Sequence, residues 1–452
     1  MQSREEKTKL RGSGWPTKFP FRLHLKMTEL TPQLNGDVVH RISKFLPVPD
    51  LLSCRLVDTA WNSGVLPEFR KRSTLYLTCP ELSRHQDHFT ETMSFYQLHN
   101  VSIKFGSDLD PAQNMDYSLF LKTLQFRRLS IRIGGQAELD LLLGILSSSR
   151  ETLEELSMDF DAFKVSMEEL PWSHKFPKVT RLSLSRRNPA EGEDKSGNDT
   201  FFTGILTAFP ALKNLTVSGN LLRVLFSSKD SINESTITQL TLPCSSAPLT
   251  PDELHPLLQL PTGHLSKLTM TSILSPDRAM SALYILLSRH AATLTELSLQ
   301  IHAQFAPGFL LFPGFPALKK FSFSMQPGDV EIYFVKRAFS TATPGRQVGL
   351  ILAKNYYGGI DYRYHFPKLE SFQCDALGGR GTWSATSFKA WFPYDFRNPA
   401  YVCKTVKYFE FEEHDTKDKL REGKISDKYT RLPRLFPNAG NEYVQLIKKC
   451  SP

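Results

Sequence analysis

Large apolar residues recur along this chain in one spacing, large–x–x–large–x–large. Copies stand at Phe126/Leu129/Ile131, Leu153/Leu156/Met158, Val179/Leu182/Leu184, Leu212/Leu215/Val217 and Ile237/Leu240/Leu242. Others are Leu265/Leu268/Met270, Leu294/Leu297/Leu299, Leu318/Phe321/Phe323, Leu369/Phe372/Cys374 and Val406/Phe409/Phe411. Leu98/Val101/Ile103 and Leu75/Leu77 are weaker copies ahead of them. Within each copy the last two apolar residues flank one outward residue, which predicts a short strand with one buried face. Between copies, Ala137–Ser149, Pro251–Leu260 and Asp277–Arg289 carry apolar residues at helical spacing and predict return helices behind the strands. Ahead of the last of these, Ser275 suits an N-cap, Pro276 the first helical position and Asp277 the positive end of the helix dipole.

From Leu98 to Leu318 the first apolar positions are spaced 28, 27, 26, 33, 25, 28, 29 and 24 residues apart. That is the period of leucine-rich repeats, whose units cannot bury their apolar faces alone and share a core by stacking. The prediction is an irregular leucine-rich-repeat solenoid over 72–415. The 33-residue unit contains Arg186–Thr200, a polar stretch that reads as a surface loop. The gap of 51 residues after Leu318 predicts one degenerate repeat, with Val348–Leu352 as its candidate strand. Only Leu212, Leu215, Val217, Asn220 and Leu222 fit the fuller pattern with an inward Asn. Phe-Pro pairs at Phe176, Phe209, Phe315 and Phe366 precede strands; the Pro is expected to end a helix and the Phe to pack beneath it.

The segment 31–71 reads differently. Val38, Val39, Ile42, Phe45 and Leu46 share one helical face, and Asp37 sits in the first turn of that helix. Pro47 and Pro49 are expected to stop it, Asp50 to cap a second helix, and Gly64 and Pro67 to end the module. The residue order resembles the F-box: Leu34, Asp37, Val38–Val39, Ile42, Phe45–Leu46–Pro47, Asp50–Leu51–Leu52, Arg55–Leu56–Val57 and Trp61. Asn35 stands where the family usually has Pro, a departure expected to loosen the first turn. The resemblance implies docking of a Skp-type adaptor, and through it a cullin–RING ubiquitin ligase, by Leu34, Val38, Ile42, Leu46, Pro47 and Leu51. The plainer alternative is that these six residues form the core of a helical cap on the repeats.

Composition alters this picture little: 40% hydrophobic and 22% charged residues fit a folded chain. The net charge is +9, part of it in residues 1–30, which read as a flexible basic leader. A solubilising or nuclear-import tail is preferred to a nucleic-acid arm, because no aromatic–basic interleaving or groove-reading motif accompanies it. Six scattered cysteines without a CxxC pair indicate neither a zinc site nor a disulfide framework, and point to a reducing compartment, cytoplasmic or nuclear. No secretory signal or membrane span is visible. The sequons at Asn100, Asn198, Asn214 and Asn233 therefore read as unused.

The outward strand positions read Ser130, Ser157, Ser183, Thr216, Thr241, Thr269, Ser298 and Ser322, then Gln373 and Glu410. Small hydroxyl residues suit a wet sheet face, so specificity for a client protein is assigned to the flanking charges Arg128, Glu155, Arg181, Lys267, Glu296 and Lys320. Aromatic-rich stretches at Tyr356–Tyr364 and Gly378–Tyr394, including Trp383 and Trp391, read either as binding anchors or as a cap on the last repeat. No P-loop, G-x-S-x-G or H-E-x-x-H motif occurs, and pairs such as His85/His88 lack further ligands at metal spacing. No cofactor is implied and the chain is not read as an enzyme. Residues 416–452 read as a mobile, charge-mixed tail, with a short helix at Asn441–Lys449. Together these features predict an α/β protein, an F-box-like helical module followed by a leucine-rich solenoid. It resembles F-box/leucine-rich-repeat substrate receptors of ubiquitin ligases; the alternative is a scaffold whose N-terminal helices only cap the repeats.

Overall fold

The computed structural model describes residues 35–78, 100–104, 125–161, 172–186, 199–226, 236–243, 249–271, 277–301, 308–325, 330–335, 357–376, 390–412 and 430–447, apart from a few positions inside these ranges. The basic leader, Leu34, His85/His88, Val348–Leu352, Tyr356, Trp383 and Tyr394 lie outside the described residues. The chain divides into two compact units, Met1–Phe69 and Arg70–Pro452.

The first unit holds α1 (Gly36–Ser43), α2 (Val48–Cys54) and all but the last three residues of α3 (Thr59–Arg72). The expected loosening at Asn35 is replaced by a cap: its Oδ1 accepts a hydrogen bond from the Asp37 backbone N–H at 3.1 Å. Asp50 does not cap α2. Pro47 holds that position, and Asp50 sits in the first turn, where its charge faces the helix N-terminus. Nor do Gly64 and Pro67 end the module, since α3 runs through both. Gly64 is buried, and a Cβ there would stand 2.9 Å from the Gly36 carbonyl and from Val39. Only glycine allows α1 and α3 to come that close.

The second unit is a mixed α/β structure built on one 12-stranded sheet. Its strands are β1 (Thr74–Thr78), β2 (Asn100–Lys104), β3 (Arg128–Ile133), β4 (Glu155–Phe160), β5 (Arg181–Arg186) and β6 (Asn214–Val217), then β7 (Gln239–Leu242), β8 (Lys267–Met270), β9 (Glu296–Ile301), β11 (Lys320–Met325), β14 (Ser371–Ala376) and β15 (Tyr408–Glu412). They pair in parallel and in sequence order. Each of the twelve apolar spacings read from the sequence supplies one of these strands. β10 (Gly308–Phe312), β12 (Val330–Val335) and β13 (Tyr357–Gly358) form a separate three-stranded sheet. No strand of the large sheet stands between β11 and β14, which pair directly, where the spacing predicts a degenerate repeat; of the described residues between them, β12 and β13 belong to the small sheet.

Register explains the core. Leu129, Leu156, Leu182 and Leu215 are successive cross-strand partners, as are Leu240, Leu268, Leu297, Phe321, Phe372 and Phe409. All are buried in one hydrophobic cluster. The helices Gln136–Ser148 and Asp277–His290 lie where helical spacing predicted them, while Pro251–Leu260 is split into a short α-turn and a 3-10 turn. The Phe-Pro pairs do more than end helices. The backbone N–H groups of Val179, Leu212, Leu318 and Leu369 each donate to the Phe carbonyl three residues back, at 3.1–3.4 Å. Pro therefore occupies the second position of a β-turn, which its fixed φ suits. The turn delivers the first apolar residue of the next unit into the core.

Hydroxyls tie adjacent units together. Thr152 Oγ1 donates to the Phe126 carbonyl at 3.0 Å, Thr236 to Leu212 at 2.6 Å and Thr293 to Leu265 at 2.8 Å. Asn100 is buried, with its Nδ2 donating to the Lys71 and Ser73 carbonyls, a setting that leaves no room for a glycan. Residues assigned to a mobile tail behave otherwise where described: Leu432, Leu435, Phe436, Ala439, Val444 and Ile447 are all buried in the core. Phe436 stacks on Phe409 with ring centroids 4.4 Å apart.

His290, the last residue of its helix, is fully buried, and its Nδ1 accepts from the Leu265 N–H at 3.4 Å. Burial, reinforced by the charges of Arg289 and His264, pushes its pKa down to about 4 from 6.5. The unfolded chain takes up this proton below about pH 6.5, whereas the folded protein does so only near pH 4. Stability is therefore lost as pH falls through that window, by about 3 kcal/mol for this group. Urea unfolding at a series of pH values is expected to show that acid limb, and His290→Leu to flatten it while lowering stability at neutral pH.

Candidate functional site

Two surfaces combine exposure with unusual chemistry. The first lies in the helical unit. Val39, Leu51 and Val65 are buried, while Val38, Ile42, Leu52 and Val57 are exposed. Phe45 and Leu56 are 87% and 88% exposed. α2 ends at Cys54 and α3 begins only at Thr59, so Leu56 and Val57 fall on the connecting turn instead of on one continuous helix face. Asp58 Oδ1 accepts the Trp61 N–H at 2.7 Å and fixes the start of α3. Arg55 bonds Asn62 through Nε at 2.9 Å, and its guanidinium lies 4.8 Å from the Phe69 ring centre. Of the sequence-predicted adaptor residues, Val38, Ile42 and Pro47 are exposed, Leu46 is half-buried and Leu51 is buried. Apolar side chains exposed this densely along about twenty residues mark an interaction surface more often than a chance grouping.

The second surface is the open face of the large sheet. Register brings all six predicted client-binding charges into a single cross-strand row. It runs Arg128, Glu155, Arg181, Asn214, Gln239, Lys267, Glu296, Lys320. Two cation–glutamate–cation clusters result. Glu155 is bound by Arg128 and Arg181, both at 2.9 Å, and Glu296 by Lys267 at 3.0 Å and Lys320 at 2.8 Å. Hydrogen bonds from Lys320 and then Lys267 hold the Glu296 carboxyl below its usual pKa, and Glu296 in turn raises that of Lys320. The predicted hydroxyl row runs alongside, from Ser130 to Ser322. A shallow cavity of about 310 Å³ opens over the first cluster, lined by Thr74, Asn100, Arg128, Glu155, Arg181 and Asn214 among others.

The aromatic stretches resolve less toward binding. Trp391 is fully buried, packed on Phe312, Phe321, Phe323, Phe334 and Phe372 with ring centroids 4.9–5.6 Å apart. Tyr362 is buried too, its hydroxyl donating to the Trp391 carbonyl at 2.7 Å. Of that pair of stretches, Tyr364 alone is described as an exposed aromatic side chain. Sequence reasoning did not foresee that Trp391 joins the small sheet to the large one, because no fixed spacing links it to either. Among the described residues no group of three or more His, Cys, Asp or Glu side chains could hold a metal ion, and no helix is long and apolar enough to cross a membrane. Neither a family model nor a curated protein matches the chain.

The clusters on the sheet face are partly solvated, so they are not expected to hold the fold together. Glu296→Gln should reduce stability by less than about 1 kcal/mol in urea unfolding. A loss of about 3 kcal/mol or more would make the Lys267–Glu296–Lys320 cluster part of the framework.

Proposed function

We propose that this chain is a client receptor of a cullin–RING ubiquitin ligase. On this reading the helical module at 31–71 is an F-box that docks a Skp-type adaptor, and the leucine-rich solenoid that follows it in sequence presents the client. The receptor carries no catalytic group of its own; it holds the client while the ligase transfers ubiquitin. Its place of action is the cytoplasm or nucleus. The observation that carries the reading is the exposed apolar set Val38, Ile42, Phe45, Leu52, Leu56 and Val57. Leaving six such side chains in water is unfavourable unless a partner covers them. The order of residues around them resembles that of the F-box, which supports a Skp-type adaptor as the partner. A strand-per-unit parallel sheet in sequence order supports the solenoid half of the reading.

The burial of Leu51 and Val39 favours a second reading, in which the helices form a self-contained cap on a scaffold. The two readings part on one experiment. Full-length protein is expected to retain a purified Skp-type adaptor in a pull-down. Ile42→Asp with Phe45→Asp, both on exposed positions, should weaken retention at least about tenfold while circular dichroism stays unchanged. If the wild type retains no adaptor, or the folded double variant retains as much, the cap reading stands.

A further inference from the structure

The charged row on the sheet face presents cations outward. Arg128 and Arg181 are 44% and 55% exposed against 23% for the Glu155 they share. Lys267 and Lys320 are 42% and 66% exposed against 33% for Glu296. In each cluster the carboxylate is the inner, shaded group, and each cluster carries a net charge of +1. The glutamate thus acts as a pin: it fixes two long side chains in place and leaves their remaining donors turned to solvent. Guanidinium and ammonium groups keep unused N–H donors after one such bond.

The row also has a length. From Arg128 to Lys320 it crosses seven strand steps, or about 34 Å at the usual strand separation. Between the clusters lie the uncharged Asn214 and Gln239, flanked by Thr216 and Thr241. Both ends are bounded. Thr74 and Asn100 precede it, and Ser371 and Tyr408 follow, with Glu410 beside them taking hydrogen bonds from Tyr408 and Gln373. An extended polypeptide covers about 34 Å in roughly ten residues. Single-stranded nucleic acid fits less well. Neither the row from Arg128 to Lys320 nor the hydroxyl row beside it carries an aromatic side chain on which a base could stack.

We propose that the open face of the sheet binds an extended acidic segment of polypeptide, about ten residues long, laid across the strands from Arg128 to Lys320. Its carboxylates engage the two cation pairs, and the hydroxyl row is positioned to bond its backbone. This deepens the client-receptor reading and rests on it only in calling the segment part of a client.

The test is fluorescence anisotropy with fluorescein-labelled decaglutamate and the full-length protein, at low and at physiological salt, with no adaptor present. The wild type is expected to bind, more weakly as salt rises. Arg128→Ser with Arg181→Ser, and separately Lys267→Ser with Lys320→Ser, should each weaken binding about five- to tenfold. Arg150→Ser with Lys175→Ser removes the same charge from exposed positions off the row, so it should change binding less than about twofold. Circular dichroism confirms folding of every variant. The proposal is overturned if the wild type does not bind decaglutamate, if both row variants bind as well as the wild type, or if the Arg150/Lys175 control loses as much. It is also overturned if decalysine or a decauridylate RNA binds as tightly as decaglutamate. Because the assay contains no adaptor, any of these failures leaves the docking of the helical unit untouched, and a failed adaptor pull-down leaves this result untouched.

Discussion

Parallel register is the constraint on which the second unit depends. In a parallel pair each strand's side chains line up with their equivalents on the next, and a slip of one residue would send every apolar row to the solvent face. Here Leu or Phe meets Leu or Phe from β3 to β15 without a slip. The same alignment that fills the core also fixes the opposite face. Once Leu129, Leu156 and Leu182 are aligned inward, Arg128, Glu155 and Arg181 must align outward one residue earlier. The charged row is a consequence of the packing, and so are its spacing and its straight course across the strands.

Two local devices keep that register. Each Phe-Pro turn sets where a strand begins, because the turn places the first apolar residue three positions after the Phe. Threonine hydroxyls bond the carbonyl of the first apolar residue in the preceding unit, at 2.6–3.0 Å. The four Phe side chains are themselves buried in the core, and each device penalises a shift of one unit against the next, since a buried carbonyl left without its donor is costly. At the far end the core changes character from aliphatic to aromatic. Phe321, Phe372 and Phe409 replace the leucines, and Trp391 fills the space between the two sheets. That substitution matches the loss of strict spacing after Leu318.

The twelve strands were legible because period-2 alternation within a fixed period is a strong signal even where the repeats are irregular. The six charges were legible as a group for the same reason, since they occupy the position just before an aligned leucine. What sequence pattern could not reach were contacts without a period. Trp391, the buried C-terminal residues Leu432–Ile447 and the small sheet of β10, β12 and β13 depend on tertiary packing, not on local alternation. The boundaries in the helical unit were misplaced for a related reason. Gly64 and Pro67 usually break helices, but the close approach of α1 and α3 makes glycine a requirement at position 64, and α3 continues past both. Asn35, an apparent defect against the F-box pattern, turned out to carry its own cap.

The division of labour proposed for this chain places adaptor docking on the helices and client binding on the sheet. Hydrogen–deuterium exchange of the full-length protein, with and without a purified Skp-type adaptor, tests that division most directly. The account predicts slowed exchange confined to residues 36–57, with β3 to β11 unchanged. Slowed exchange along β3 to β11, or none at 36–57 with the adaptor at saturating concentration, would contradict it.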